Sequence, residues 1–206
     1  MATPGLAGAV AARAARALLV IDVVNDFAFE EGPATLAAAI PVARRIRALK
    51  RAARRAKIPT IYVNDNFGQW RSDFRSLVAR CLRRASRGRP VIRALRPDRR
   101  DYFILKPKHS AFFSTPLELL LEHLGVRTLI LTGLLADSCI LFTAQDAHLR
   151  GYRVVVPSDC VAARSPEDQR RALRQLERGL GADIRPAATI LRTTSAAAGV
   201  SRGAAR

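Results

Sequence analysis

Three cysteines in 206 residues, Cys81, Cys139 and Cys160, are too few and too irregularly spaced for a disulfide framework, and no C-x-x-C pair marks a structural metal site. Histidine is equally sparse: His109, His123 and His148 are the whole set, and none precedes residue 109. No apolar run approaches the roughly 18 residues that span a bilayer. The opening stretch Ala2 to Ala17 carries Arg13 and Arg16 where a signal peptide needs an unbroken apolar core, and it lacks the serine of a transit peptide. These absences predict a reduced, cytoplasmic chain with no membrane partner, and a short disordered extension over residues 1–16. Acids are also scarce, 17 against 35 lysines and arginines, for a net charge of +18. No internal repeat is visible.

What is present is a core. A chain of this length with 49% hydrophobic residues supports one well-packed domain and not two. Six short runs rich in Val, Ile and Leu read as buried strands: Ala17 to Ile21, Thr60 to Val63, Tyr102 to Leu105, Thr128 to Leu131, Arg153 to Val156 and Thr189 to Leu191. Helical patterns lie between them, at about 35–56, 71–86, 116–123, 139–149 and 166–179. Pro116, Gly125, Gly151 and Ser165-Pro166 punctuate their ends. Strands that are apolar on both faces and alternate with helices predict a single-domain three-layer α/β/α fold with a mainly parallel six-stranded sheet over residues 17–194. Residues 195–206 read as a disordered tail. The segment 86–101, with Gly88, Pro90 and Pro97 among arginines, reads as a long surface connection.

Ligands of such sheets bind beyond the carboxyl ends of the strands, so the polar residue ending each run is informative. The first run ends at Asp22, the second at Asn64 and Asp65, the third at Lys106, and the fifth at Asp159, which would order its loop. The fourth runs through Gly133 to Cys139 into a helix, with Asp137 or Ser138 as N-cap. A lone cysteine is most often core, but at a helix N-terminus the dipole and unpaired N–H groups favour a thiolate. A carboxylate, an ammonium and a thiol at neighbouring strand ends suit covalent hydrolysis of a carbonyl compound.

Four stretches carry a resemblance: Leu18 to Phe27, Val63 to Asn66, Lys106 to Phe112, and Thr132 through Cys139 to Ala144. With them the chain resembles the isochorismatase-like cysteine hydrolases, the superfamily of nicotinamidases and N-carbamoylsarcosine amidases, over residues 17 to 192. The resemblance implies a Rossmann-type fold and a catalytic triad of Asp22, Lys106 and Cys139. Cys139 would form a thioester and Asp22 would carry the proton. Backbone N–H groups of Leu135 and Cys139 would form the oxyanion hole, beside a cis peptide between Leu134 and Leu135. It also implies a dimer or tetramer whose neighbouring subunit completes the pocket. Lys108 is a rival to Lys106, which holds the matching position before Ser110-Ala111-Phe112. Two departures stand out. Nicotinamidases carry an Asp-x-His pair and further histidines as metal ligands where this chain has Asn64-Asp65-Asn66, so no metal or other cofactor is expected. Val24 stands where the family often has Gln.

Phe27, Asn64, Asn66, Trp70, His109 and Phe112 are candidate pocket residues, the aromatic ones being equally suited to the core. His148, nine residues beyond Cys139, lies about 13 Å along the same helix and is too far to be its base. His123 suits a helix C-terminus. Eight basic residues between Arg44 and Lys57, and nine arginines between Arg80 and Arg100 against Asp98 alone, read as solvated faces, since Ile46, Leu49, Ala53 and Ala56 recur at helical spacing opposite the first group. Nucleic acid is then expected to bind only through nonspecific charge. The expected activity is cleavage of a C–N bond in a small amide, ureide or carbamoyl compound. The alternatives are an isochorismatase-type vinyl-ether hydrolase that needs Asp22 and not the thiol, and a polyanion or RNA interaction module.

Overall fold

The computed structural model describes residues 15–190 other than Gln69 and Ser72. The expected tail lies outside the described residues, as does the expected extension except for its end, where Arg16 already opens the first strand. In chain order the elements are β1 (Arg16–Ile21), α1 (Gly32–Arg55), β2 (Thr60–Asp65), α2 (Phe74–Leu82), α3 (Arg89–Ala94), β3 (Tyr102–Lys106), α4 (Leu117–His123), β4 (Thr128–Leu134), α5 (Leu141–Leu149), β5 (Arg153–Val155), β6 (Val161–Ala162) and α6 (Pro166–Leu180). Among the described residues no helix is long and apolar enough to cross a membrane.

The six strands form one parallel sheet ordered β3-β2-β1-β4-β5, with β6 paired to the end of β4. One strand expected from periodicity, Thr189 to Leu191, is not in the sheet, its last residue lying outside the described residues, and one strand of the sheet carries no periodic signal. Thr189 and Ile190 are helical, and the sixth strand is the two-residue Val161–Ala162. Alternation along β1 builds both cores: Leu18 and Val20 face α1, α2 and α3, while Ala17, Leu19 and Ile21 face α4, α5 and α6. On α1 the residues Ala43, Ile46, Leu49 and Ala53 are buried while Arg44, Arg45, Arg47, Arg51, Arg54 and Arg55 face solvent, an amphipathic stripe. Ala56, just past its end, is exposed.

The arginine-rich segment 86–101 is not a plain loop. Val91, Ile92 and Leu95 are buried and fold it into α3. Gly88 brings it against the turn after β1, where a Cβ would lie 1.7 Å from the Asn25 carbonyl oxygen. The centre of the sheet is equally tight. Gly133 adopts φ 115°, and a Cβ there would stand 2.0 Å from the carbonyl oxygen of Ile21. Thr132 donates from Oγ1 to the Leu19 carbonyl at 2.8 Å. These contacts set the turn after β4 beside the residue that follows β1.

Candidate active site

Asp22, Lys106 and Cys139 meet at the carboxyl edge of the sheet. Asp22 follows β1 with φ 53°, a left-handed conformation that turns the chain sharply at the strand end. Its backbone N–H bonds the Val63 carbonyl at 2.9 Å, and its Oδ1 accepts from the Asp65 N–H at 2.7 Å. Lys106, the last residue of β3, is fully buried. Its Nζ lies 3.0 Å from Asp22 Oδ2, 3.5 Å from Cys139 Sγ and 3.8 Å from Asp65 Oδ2, and donates to the Lys108 carbonyl at 3.1 Å. The ammonium therefore bridges carboxylate and sulfur, while the rival Lys108 side chain is exposed.

Cys139 occupies a single π-helical turn, Ala136–Ile140, that leads into α5. The turn starts after Leu135, whose carbonyl accepts from the N–H groups of both Ser138 and Ile140, and no side chain caps it. Asp137 and Ser138 thus lie within the turn and not at its cap. Such turns are frequent at functional sites. The Leu134–Leu135 peptide bond is cis. Cys139 is part-exposed, whereas Cys81 and Cys160 are buried.

The loop after β3 is held by contacts that the sequence pattern did not disclose. Ser110 Oγ bonds an Asp146 carboxylate oxygen, and the Ala111 N–H donates to Thr143 Oγ1 at 3.0 Å. Both partners sit on α5, so one helix carries the sulfur's turn and anchors the lysine's loop. His109 Nδ1 lies 3.9 Å from Sγ, and its ring stacks on Phe142 at 5.5 Å. Phe142 carried no sequence signal beyond its place on α5.

The remaining candidates divide. Asn64 is fully buried and clamps the turn after Asp22: its Oδ1 accepts from the Val24 N–H at 2.9 Å and its Nδ2 donates to the Val24 carbonyl at 3.0 Å. Both bonds hold the segment that follows Asp22. The Asn66 N–H donates to the Lys106 carbonyl at 3.1 Å. Phe27 is buried among α1 and α3, Phe112 is buried against Tyr152 with Arg150 over its ring, and neither forms an open pocket wall. Trp70 is 80% exposed and is not packed as a wall. His123 lies in the last turn of α4, and Asp159 orders its loop by accepting from the Ala187 N–H at 2.9 Å. Among the described residues no group of three or more His, Cys, Asp and Glu side chains is placed to hold a metal ion.

The charges at the site are coupled. Burial raises the Asp22 carboxyl above the usual aspartate range, against the pull of Lys106 and of hydrogen bonds from the Cys139 thiol and the Asp65 N–H. Lys106 is also raised: burial disfavours its ammonium, but Asp22 and the sulfur outweigh that. The Cys139 thiol goes opposite to the helix-dipole expectation. Burial first, then the Asp22 charge, push it up to about 12, and Lys106 compensates only in part. Both shifts favour a thiol hydrogen-bonded to Asp22 over a preformed thiolate. Labelling by iodoacetamide, followed site by site by mass spectrometry, should then be slow at pH 7 for Cys139 and rise about tenfold per pH unit without levelling off below pH 10. Cys81 and Cys160 should stay unlabelled in the folded protein. A plateau near neutrality would show a preformed thiolate instead.

The isochorismatase domain family matches residues 16–189. The chain is 40% identical over 172 residues to the uncharacterized isochorismatase family protein YaaI of Bacillus subtilis, covering 84% of this chain and 94% of that one. It is 29% identical over 196 residues to the ureidoacrylate amidohydrolase RutB of Methylorubrum extorquens, covering 81% and 78%. Among solved structures it superposes on the N-carbamoylsarcosine amidase of Thermoplasma acidophilum with a TM-score of 0.62 at 31% identity, covering 84% of this chain and 96% of that one.

Proposed function

The chain belongs to the isochorismatase family of hydrolases, and from that premise we propose that it is a cysteine hydrolase that cleaves the C–N bond of a small ureido or carbamoyl compound. The observation that carries this reading is Lys106 Nζ set 3.0 Å from Asp22 and 3.5 Å from Cys139 Sγ. The likeness to a ureidoacrylate amidohydrolase and an N-carbamoylsarcosine amidase supports the substrate class.

Cys139 Sγ attacks the carbonyl carbon while its proton passes to Asp22. The proton moves during attack because the thiol is too weak an acid to ionise beforehand, and the raised carboxyl pKa narrows the gap between donor and acceptor. The oxyanion is held by the backbone N–H groups of Leu135 and Cys139, an interaction worth roughly 2.7–4 kcal/mol per donor in comparable sites. Collapse breaks the C–N bond, and the Asp22 proton leaves with the amine. Water, deprotonated by the same carboxylate, then adds to the thioester and returns the thiol. Lys106 stays charged throughout and offsets whichever neighbour is anionic. His109 and Phe142 flank the leaving group.

The test is ammonia release from a panel of ureides, N-carbamoyl amino acids and primary amides, with intact-protein mass spectrometry for acyl-Cys139 on rapid quenching. Ammonia with an acyl adduct is the expected result, and vinyl-ether hydrolysis by protein alkylated at Cys139 would overturn the assignment. The pH dependence of kcat/KM is fixed by the same groups. Only ionised Asp22 accepts the proton and burial raises its pKa, so activity should fall with acid at a pH above an ordinary aspartate's 3.8. On the alkaline side Lys106 is raised above 10.5, so no loss is expected below that pH.

A further inference from the structure

A recess of about 500 Å³ opens on the opposite edge of the sheet from Cys139, between the second half of α1, the segment after α3 and the first residues of β2 and β3. Arg47, Lys50, Arg51 and Arg54 follow i, i+3, i+4, i+7 spacing and share one face of α1. Two of them are neutralised. Lys50 Nζ pairs with Asp101 Oδ2 at 2.5 Å and donates to Tyr62 Oη at 3.0 Å, and Arg54 pairs with Asp98 Oδ2 at 2.5 Å. Asp98 and Asp101 are the only acids among its described lining residues. Arg47, Arg51, Lys57, Arg96 and Arg100 also line the recess, are exposed, and make no ion pair with a described residue.

Cations gathered in one concavity repel each other unless an anion lies between them, and low-dielectric walls, here Ile58, Pro59 and Leu124, strengthen their field. The α1 C-terminus opposes an anion by about half a charge, too little to cancel five cations. Arg47 and Arg51 stand one turn apart, about 6 Å along the helix, with Arg96 and Arg100 on the facing segment. That spacing suits the first and third groups of a phosphoryl chain, which guanidinium forks bind in bidentate fashion, better than a single carboxylate. The volume of this half-open recess is that of a small-ligand site. We propose that this recess binds an oligophosphate, a linear chain of three phosphoryl groups either free or carried by a nucleoside.

Titration calorimetry of the full chain with tripolyphosphate, ATP and orthophosphate in 150 mM KCl tests it. Saturable binding of one tripolyphosphate is expected, at least about tenfold tighter than orthophosphate, and lowered about tenfold or more in Arg51→Ala/Arg96→Ala. The control Arg174→Ala/Arg178→Ala removes the same charge from the exposed face of α6 and should bind as the parent does. Equal affinity for ATP and tripolyphosphate assigns the free phosphate chain, and tighter ATP binding assigns the nucleotide. Equal weakening in both variant pairs would overturn the site in favour of diffuse charge attraction. Tighter binding of a single-stranded RNA, with the same sensitivity to Arg51→Ala/Arg96→Ala, would overturn the small-ligand assignment. Melting curves of both variants verify folding, and catalysis plays no part in the readout.

Discussion

Cys139→Ala is expected to lower turnover of any amide or ureide substrate by about 10⁴-fold or more while leaving the melting temperature within a few degrees of the parent. Deleting the nucleophile of a covalent mechanism removes the whole pathway, so the loss is of the size seen when one member of a catalytic unit is deleted. The fold should survive because Cys139 is part-exposed, and what remains of its packing costs on the order of 1 kcal/mol. Lys106 keeps Asp22 and the Lys108 carbonyl as partners when the sulfur is gone. The comparison with Asp22→Asn is decisive. Both variants should lose amide hydrolysis and acyl-enzyme formation together. If Asp22→Asn were inactive while Cys139→Ala kept the parental rate, the chemistry would be that of a vinyl-ether hydrolase that protonates from Asp22, and the cysteine mechanism would fall.

Lys106→Met should be the most destabilising single change at the site. Methionine matches the lysine stem in length, so the loss isolates the ammonium. Lys106 is fully buried between two carboxylates and a sulfur, and its removal leaves Asp22 buried without a counter-charge. Breaking such a pair costs about 3–5 kcal/mol, which for a domain of this size lowers the melting temperature by roughly 6–20 °C. The sign of the pH dependence identifies the cause. Without Lys106 the Asp22 pKa rises further above its unfolded value, so the folded state binds the proton more tightly than the unfolded state. The variant's deficit should therefore shrink as pH falls toward protonation of Asp22 and be largest above its folded pKa. Adding Asp22→Asn should recover most of the lost stability, because the two effects are not additive. A deficit that is independent of pH and additive with Asp22→Asn would mean that Lys106 acts through packing alone.

The five longer strands were legible in the sequence because each is a short apolar run with polar residues beyond it, and Asp22, Lys106 and Cys139 could be singled out because two of them close such runs and the third follows the fourth run within one turn; the structure brings the three together. The failures have physical reasons. Val161–Ala162 is too short for periodicity, and it exists only because β4 runs past β5 and leaves Gly133 and Leu134 to be paired. Thr189 and Ile190 have strand-like composition, but their chain closes a helical turn on Pro186, whose carbonyl accepts from both N–H groups. In α3, proline and arginine masked Val91, Ile92 and Leu95, whose burial needs α1 as a partner. The thiol's pKa could not be read locally. The helix terminus is a local feature that favours ionisation, whereas burial and Asp22 are long-range consequences of the fold and outweigh it. Phe27 and Phe112 were ambiguous between pocket and core for the same reason, since only tertiary packing decides which side of a layer an aromatic ring occupies.

The pairing of β4 against β1, locked by Thr132 and the close approach at Gly133, divides the chemistry along the polypeptide. A chain severed at the bend around Gly125 leaves Asp22 and Lys106 on one piece and Cys139 on the other. In the proposed mechanism neither piece then holds the nucleophile together with its proton acceptor. On that mechanism, hydrolysis by the two pieces together would report the docking of one half on the other along the hydrophobic seam between β1 and β4.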